Sequence, residues 1–257
     1  MSNDKPWLRI IGDVHGLTHA PSYLKRASKA QYSLQLGDLS GSNYKFLSQL
    51  SPNYHKAIAG NHEVYNTKSK WYFRKMPHFL GNFGVWSIPN FEDIFYVRGG
   101  LSLNFKSKQS AGIWSIEEEC TVNELREAIE LYDFIRPNFV VTHECPLRMT
   151  EHVADPMMAH SFGFPSSSIR TKTNQALDAM MDIHQPKTWI FGHFHRYLSK
   201  HLDGTHFLCL NKFTDKGHFI DFPKDDSLNF VNETEDSDLE AHNDPSNPFE
   251  LELGGMG

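Results

Sequence analysis

Short apolar runs alternate with longer amphipathic stretches over most of the chain. Runs at 8–11, 32–36, 54–59, 138–141 and 187–191 are four to six residues long and draw on Ile, Leu, Val, Ala and aromatic residues. That length and content predict buried strands rather than helices. Each run ends in polar residues, mostly after a glycine: Gly12-Asp13, Gly37-Asp38, Gly60-Asn61-His62, Thr142-His143 and Gly192-His193. Further strands are expected at 95–98, 206–210 and 218–222. Between these, 21–29, 121–134 and 173–181 read as helices. Thr121 and Glu124 have the spacing of a capping box, and Leu125, Ile129 and Tyr132 then recur at helical intervals. Strands and helices in alternation predict an α/β fold. Polar residues just past the carboxyl ends of strands are where open α/β sheets place their sites. No internal repeat is visible. The pattern stops near Lys224, so the expectation is one folded domain, 6–222, followed by a disordered tail, 223–257.

Composition narrows the class. Of 257 residues, 39% are hydrophobic and 22% charged, which suits a globular domain with a core and excludes collagen, coiled coil or disorder for the whole. No apolar run approaches the ~20 residues that span a bilayer, so no membrane partner is expected. The first residues lack a basic segment followed by an apolar one, so no secretory signal is expected. Cys120, Cys145 and Cys209 form no Cys-x-x-Cys pair; a reducing, cytoplasmic setting fits them. The net charge of −6 is uneven. Segment 224–257 carries ten Asp and Glu against one Lys, while the remainder has 24 Lys and Arg against 21 Asp and Glu, or +3. A mildly basic body suits a small anionic substrate and argues against an extended nucleic-acid ligand.

The chain also holds 15 histidines, and several fall in the strand-end segments. Five segments occur in order: Gly12-Asp13-Val14-His15-Gly16, Gly37-Asp38, Gly60-Asn61-His62-Glu63, Thr142-His143 and Gly192-His193-Phe194-His195. Asp, Asn and His supply the oxygen and imidazole donors that suit manganese, iron or zinc. In Asp13-Val14-His15 and His193-Phe194-His195, alternate residues of extended backbone project to one side and can converge on one centre. Each segment alone is commonplace. Five together, each closing a strand-like run, are not.

In this order the segments resemble the calcineurin-like metallophosphoesterases, and the stretch 112–119 resembles one in small bacterial and phage members. The family pattern is Asp-x-His, Gly-Asp, Gly-Asn-His-Glu/Asp, His and Gly-His-x-His, and the likeness spans 11–195. The resemblance implies a four-layer α-β-β-α sandwich with two central mixed β-sheets. It implies two divalent metal ions, with manganese favoured and iron or zinc compatible. Carried over, Asp13, His15 and His195 would hold one metal, Asn61, His143 and His193 the other, with Asp38 bridging them. The implied activity is phosphoester hydrolysis, by a phosphatase or small phosphodiesterase. A hydroxide shared by the two metals would attack and His62 would act as general acid. Two alternatives stay open: a non-catalytic interaction module on the same fold, and a nuclease.

The departures matter too. Phosphoprotein phosphatases continue their Gly-Asp as Gly-Asp-x-Val-Asp-Arg-Gly, whereas this chain reads Gly37-Asp38-Leu39-Ser40-Gly41-Ser42. The Arg that would hold phosphate is missing, leaving Arg98, Arg148 and Arg170 as candidates, each otherwise a surface ion pair. Trp114, in Gly112-Ile113-Trp114-Ser115, would stack on a substrate base or sugar or else pack beneath its loop. Glu63 would orient a ring nitrogen or be solvated, and Cys145 would be a buried thiol or a ligand. The expected partner is a small phosphorylated substrate; the oligomeric state is left open.

Overall fold

The structure is a computed structural model that describes residues 5–39, 44–63, 65, 72–154, 160, 164 and 169–224. The expected tail therefore lies outside the described residues from 225 onward. Among the described residues, ten strands form two mixed sheets. The first sheet contains β1 (Leu8–Ile11), β2 (Tyr32–Gln35), β3 (His55–Ala57) and β10 (Phe219–Phe222) in the order β10-β1-β2-β3. Its first three strands are mutually parallel, and β10 runs antiparallel to β1 with Leu8 opposite Phe222. The second sheet has the order β4-β5-β6-β7-β9-β8. Its parallel centre is β5 (Ile94–Val97), β6 (Phe139–Thr142), β7 (Thr188–Phe191) and β9 (Thr205–Cys209). The antiparallel edges are β4 (Phe83–Trp86) and β8 (Leu198–Leu202).

Alternation along each strand explains the layering, because successive side chains leave opposite faces of a sheet. Leu8, Ile10, Leu34, Ile220 and Phe222 of the first sheet meet Ile94, Phe139, Val141, Ile190 and Leu208 of the second in one buried core. The intervening residues face outward and need helices to cover them. Ile11 and Ala57 pack with Tyr23 and Ala27 of α1 (Ala20–Ser28). On the far side, Phe95, Val140, Trp189, Phe191 and Phe207 pack beneath α3 (Val122–Ile135), α4 (Leu147–Val153) and α5 (Lys172–Ile183). A short helix, α2 (Phe105–Ser110), follows β5. Helix, sheet, sheet and helix make the α-β-β-α sandwich that the resemblance implies. No described helix is long and apolar enough to cross a membrane.

Local chemistry sets where the helices begin. At the start of α3 the Thr121 hydroxyl accepts the Glu124 amide at 3.2 Å while the Glu124 carboxylate accepts the Thr121 amide at 2.7 Å. Thr171 and Asn174 repeat the arrangement at α5. Both caps serve amide groups that a helix start leaves unpaired. Thr121→Ala should therefore cost about 1 kcal/mol of unfolding free energy in a denaturant titration. A loss within experimental error would show that the α3 packing face, not the cap, fixes that helix start.

The strand-end loops are tied together at one end of the sandwich. Val14 and His15 donate backbone amides to the Asp38 carbonyl at 3.1 and 2.9 Å, joining the loops after β1 and β2. Gly99 donates to the Ala59 carbonyl at 2.8 Å, and Gly192 to that of His143 at 3.1 Å. All five chemistry-bearing segments thus meet where the two sheets come together.

Candidate metal centre

The seven candidate ligands form two groups of donors that share Asp38. The first group is Asp13, His15, Asp38 and His195, whose donor atoms all lie within 4.8 Å of one another. His195 Nε2 is 3.3 Å from Asp13 Oδ2 and 2.6 Å from His15 Nε2. His15 Nε2 lies 3.7 Å from Asp38 Oδ2. The second group faces the other oxygen of Asp38. His143 Nε2 is 3.5 Å from Asp38 Oδ1 and 2.8 Å from Asn61 Oδ1, and His193 Nδ1 is 2.8 Å from that same Asn61 oxygen.

Hydrogen bonds behind these side chains decide which atoms point inward. His143 Nδ1 donates to the Leu36 carbonyl at 2.8 Å, so Nε2 is the nitrogen that faces the cluster. Asn61 Nδ2 donates to Ser102 Oγ at 2.9 Å, which turns Oδ1 inward. The Asp13 carboxylate accepts the His193 amide at 3.0 Å and so fastens the first sheet to the second. Asp38 Oδ1 accepts the His62 amide at 2.8 Å, whereas the buried Asp38 Oδ2 has no hydrogen-bond partner among the described residues. His193 Nε2 is likewise buried without a hydrogen-bond partner among the described residues. A buried acceptor left so is costly, and a cation placed between the donors removes the cost. Asp, Asn and His are also the donor types that divalent transition metals take, so the site fits the metals the sequence implies.

Strain collects here. Seven described residues other than glycine have positive φ, and four of them are His15, Asp38, His193 and His195. A side chain in the left-handed region is disfavoured and persists where surrounding structure over-determines it. Close packing explains two of the preceding glycines: a Cβ on Gly60 would strike the Asp38 carboxylate and one on Gly192 that of Asp13.

Electrostatics follow from burial and proximity. Burial opposes ionisation of Asp13, but the His15 and His195 hydrogen bonds and the His143 charge hold its carboxyl well below the usual range. Asp38 is also penalised by burial, yet His143 and His62 bring it down to about 2. Both acids are therefore ionised near neutral pH and carry the charge that metals require. Burial drives His193 down to about 3 and His62 to about 4, so both rings are neutral near pH 7. The cluster opens to solvent on the side of His15 and His195, whose side chains are 26% and 41% exposed, while Asp13, Asp38 and His143 are buried. The half-buried His62 ring lies on that open side, its centroid 5.1 Å from the His15 ring.

The substrate candidates stand elsewhere. Arg98 is buried with Nε on Asn82 Oδ1 at 2.7 Å and Nη1 on the Glu117 carbonyl at 3.0 Å, so it joins loops instead of presenting a free fork. Arg148 is held by Asp178, Asp182 and Asp203. Asp203 lies in the β8–β9 turn, at the end of the sheet opposite the cluster. Arg170 is exposed just before the α5 cap, and no contact among the described residues joins it to the cluster. Trp114 is half-buried, its ring 6.2 Å from that of Phe105, which is the packing role. Glu63 is buried and orients no ring nitrogen; its carboxylate accepts the amides of Leu39 at 2.8 Å, Asp38 at 3.4 Å, and Gly60. Cys145 is a buried thiol in the outer core, 3.9 Å from Thr150 Oγ1. The sequence reading passed over Ser102 and Lys108. Their one signal was Gly99-Gly100, a fifth glycine-marked strand end beside the cluster.

Two mixed sheets in a four-layer sandwich, with an Asp, Asn and His cluster on their loops, define a metallophosphoesterase-type architecture. The profile of the calcineurin-like phosphoesterases matches residues 7–197, and the chain belongs to that family. Solved structures show distant likeness. Phosphopantetheinyl hydrolase (PptH) of Mycobacterium tuberculosis is 14% identical, with 82% of this chain and 91% of that one covered and a TM-score of 0.49. A provisionally assigned 5′-nucleotidase of Staphylococcus aureus is 12% identical at a TM-score of 0.47, over 80% of this chain. The chain spans about half of that protein, 48% of its length. A single-site variant of Vps29 from Entamoeba histolytica is 15% identical, with 84% and 86% covered and a TM-score of 0.34. No curated protein sequence matches the chain significantly.

Proposed function

We propose that this protein hydrolyses phosphoesters of small molecules with two divalent ions. Asp13, His15 and His195 would hold one ion, Asn61, His143 and His193 the other, and Asp38 both. One observation carries the reading: the two oxygens of a single buried carboxylate, Asp38, face two separate sets of donors. Once bound, the ions supply Lewis-acid charge for the phosphoryl oxygens and an activated nucleophile. Manganese is favoured, with iron and zinc compatible with the same donors.

The chain's own groups do the rest. The exposed edges of His15 and His195 leave an approach from solvent, and buried Asp13, Asp38 and His143 keep the far side closed. Leu36 and Ser102 fix the ring and amide orientations that the ligands need, as outer partners do in metal sites generally. His62 is tethered through its backbone amide to Asp38 and stands at the open side, where it would give a proton to the leaving oxygen. Its ring is neutral in the free protein, and an anionic phosphoryl group beside it favours the protonated form.

The test is turnover of 4-nitrophenyl phosphate and bis(4-nitrophenyl) phosphate by chelator-stripped protein before and after manganese is restored. We expect activity only after restoration, with two ions per chain. No turnover of either ester at two bound ions per chain would overturn the reading in favour of a binding role.

A further inference from the structure

With Arg98 and Arg148 engaged elsewhere, the question is which cation meets the substrate. Lys108 lies in the last turn of α2, and its carbonyl accepts the amides of Ile113 at 2.9 Å and Trp114 at 3.2 Å. The loop after α2 is thereby folded back on it and its side chain is only 14% exposed. The ammonium lies 2.7 Å from Ser102 Oγ, and that oxygen also accepts Asn61 Nδ2 at 2.9 Å. One hydroxyl therefore separates Lys108 from a candidate metal ligand. Glu118 is the other neighbour, with Oε1 at 3.6 Å from Nζ. That is looser than the ~2.7–2.9 Å of a seated ammonium–carboxylate hydrogen bond. Glu118 is also served by the Ser102 amide at 3.0 Å, so the lysine is not its sole support.

An ammonium has three donors and no acceptor. Ser102 takes one and Glu118 loosely engages a second, which leaves a donor beyond its contacts among the described residues. Through Ser102 the ammonium is joined to Asn61, the residue immediately before His62. It thus stands on the side of the cluster where the leaving group would lie.

The geometry points to Lys108 as the anchor of the substrate's phosphoryl group, donating a hydrogen bond to a phosphoryl oxygen beside Asn61 and His62. Lysine serves this role as a compact point charge where arginine would offer a planar fork. The inference rests on the phosphoesterase reading and supplies the phosphate contact that the sequence assigned to arginines.

The test uses the full chain loaded with manganese and inorganic phosphate as the probe. Wild type, Lys108→Met, Lys108→Gln and Lys108→Arg are compared in metal content, in phosphate affinity by calorimetry, and in KM and kcat on 4-nitrophenyl phosphate. Met and Gln should each weaken phosphate binding and raise KM by about tenfold, the scale of one charged hydrogen bond. Metal content should stay at the wild-type value, and Lys108→Arg should recover most of the affinity. Gln keeps a donor for Ser102, so it remains informative if Met unfolds the loop. A drop in metal content in both variants would overturn the inference, because Lys108 would then act by holding Asn61 through Ser102. Phosphate affinity within twofold of wild type would overturn it as well. Wild type that neither binds phosphate nor turns over ester would instead overturn the phosphoesterase reading, and this inference with it.

Discussion

Asp38→Asn should reduce both metal content and activity, with fewer than one ion retained per chain and turnover down by about 10³-fold or more. The size follows from the several kcal/mol of transition-state charge stabilisation that bound ions contribute. Asn keeps an oxygen for the His62 amide, now held by Asp38 Oδ1 at 2.8 Å. It removes the negative charge and sets an amide N–H where the unpartnered Oδ2 stands. Both donor groups lose a ligand at once. Substituting His15 or Asn61 would remove a donor from one group alone. Removing the charge also has a cost in the metal-free protein, because His143 and His62 outweigh burial and the repulsion from Asp13 and hold the Asp38 carboxyl down at about 2. Metal-free Asp38→Asn should therefore melt below metal-free wild type, and metal content is compared at a temperature where both are folded. Metal analysis beside thermal melts decides the matter. Two ions retained by the variant would end the bridging role.

Five of the seven ligands could be read from local pattern because each closes an apolar strand, four of them directly after a glycine. His15 and His195 were expected from the two-residue period of extended chain, but both lie at positive φ, so turned backbone and not a strand's alternation brings them to the cluster. The central strands were legible from local pattern too: they are covered on both faces and so appear as continuous apolar runs. The edges were not. In β8, Leu198-Ser199-Lys200-His201-Leu202 is half solvated and pairs on one side only. In β4, Gly84 and a mostly half-buried pattern mask the strand. Neither carries the local signal of a core strand, and both depend on a partner elsewhere in the chain.

Side-chain direction was the second thing that local pattern does not encode. Arg98 has the setting of a phosphate ligand, after a strand and before Gly99-Gly100, yet its guanidinium turns back to Asn82. Glu63 sits next to the candidate acid, yet its carboxylate gathers backbone amides from the loops after β2 and β3. Lys108 has no motif, and what marks it is the contact between Ser102 and Asn61, 41 positions apart. Motifs report where the chain must bend to bring donors together. Which cation faces them depends on how distant loops pack.

His62 is the residue that separates proton transfer from metal binding. Its ring is no member of either donor group, and its link to the cluster is the backbone amide on Asp38. A side-chain substitution leaves that amide in place. His62→Ala and His62→Asn should therefore keep two ions while lowering turnover by about 10²–10⁴-fold, the range of general acid–base catalysis. The loss should depend on the leaving group. An alkoxide needs a proton as the ester bond breaks, whereas 4-nitrophenolate departs as an anion. On one variant, an alkyl phosphate should then show most of the loss and 4-nitrophenyl phosphate a small part of it. The positive charge of a protonated ring could instead bind the phosphoryl group, and that role would slow both substrates alike. Equal losses on the two esters, with both ions still bound, would remove His62 as the acid and leave phosphoryl binding to a His62 and Lys108 pair.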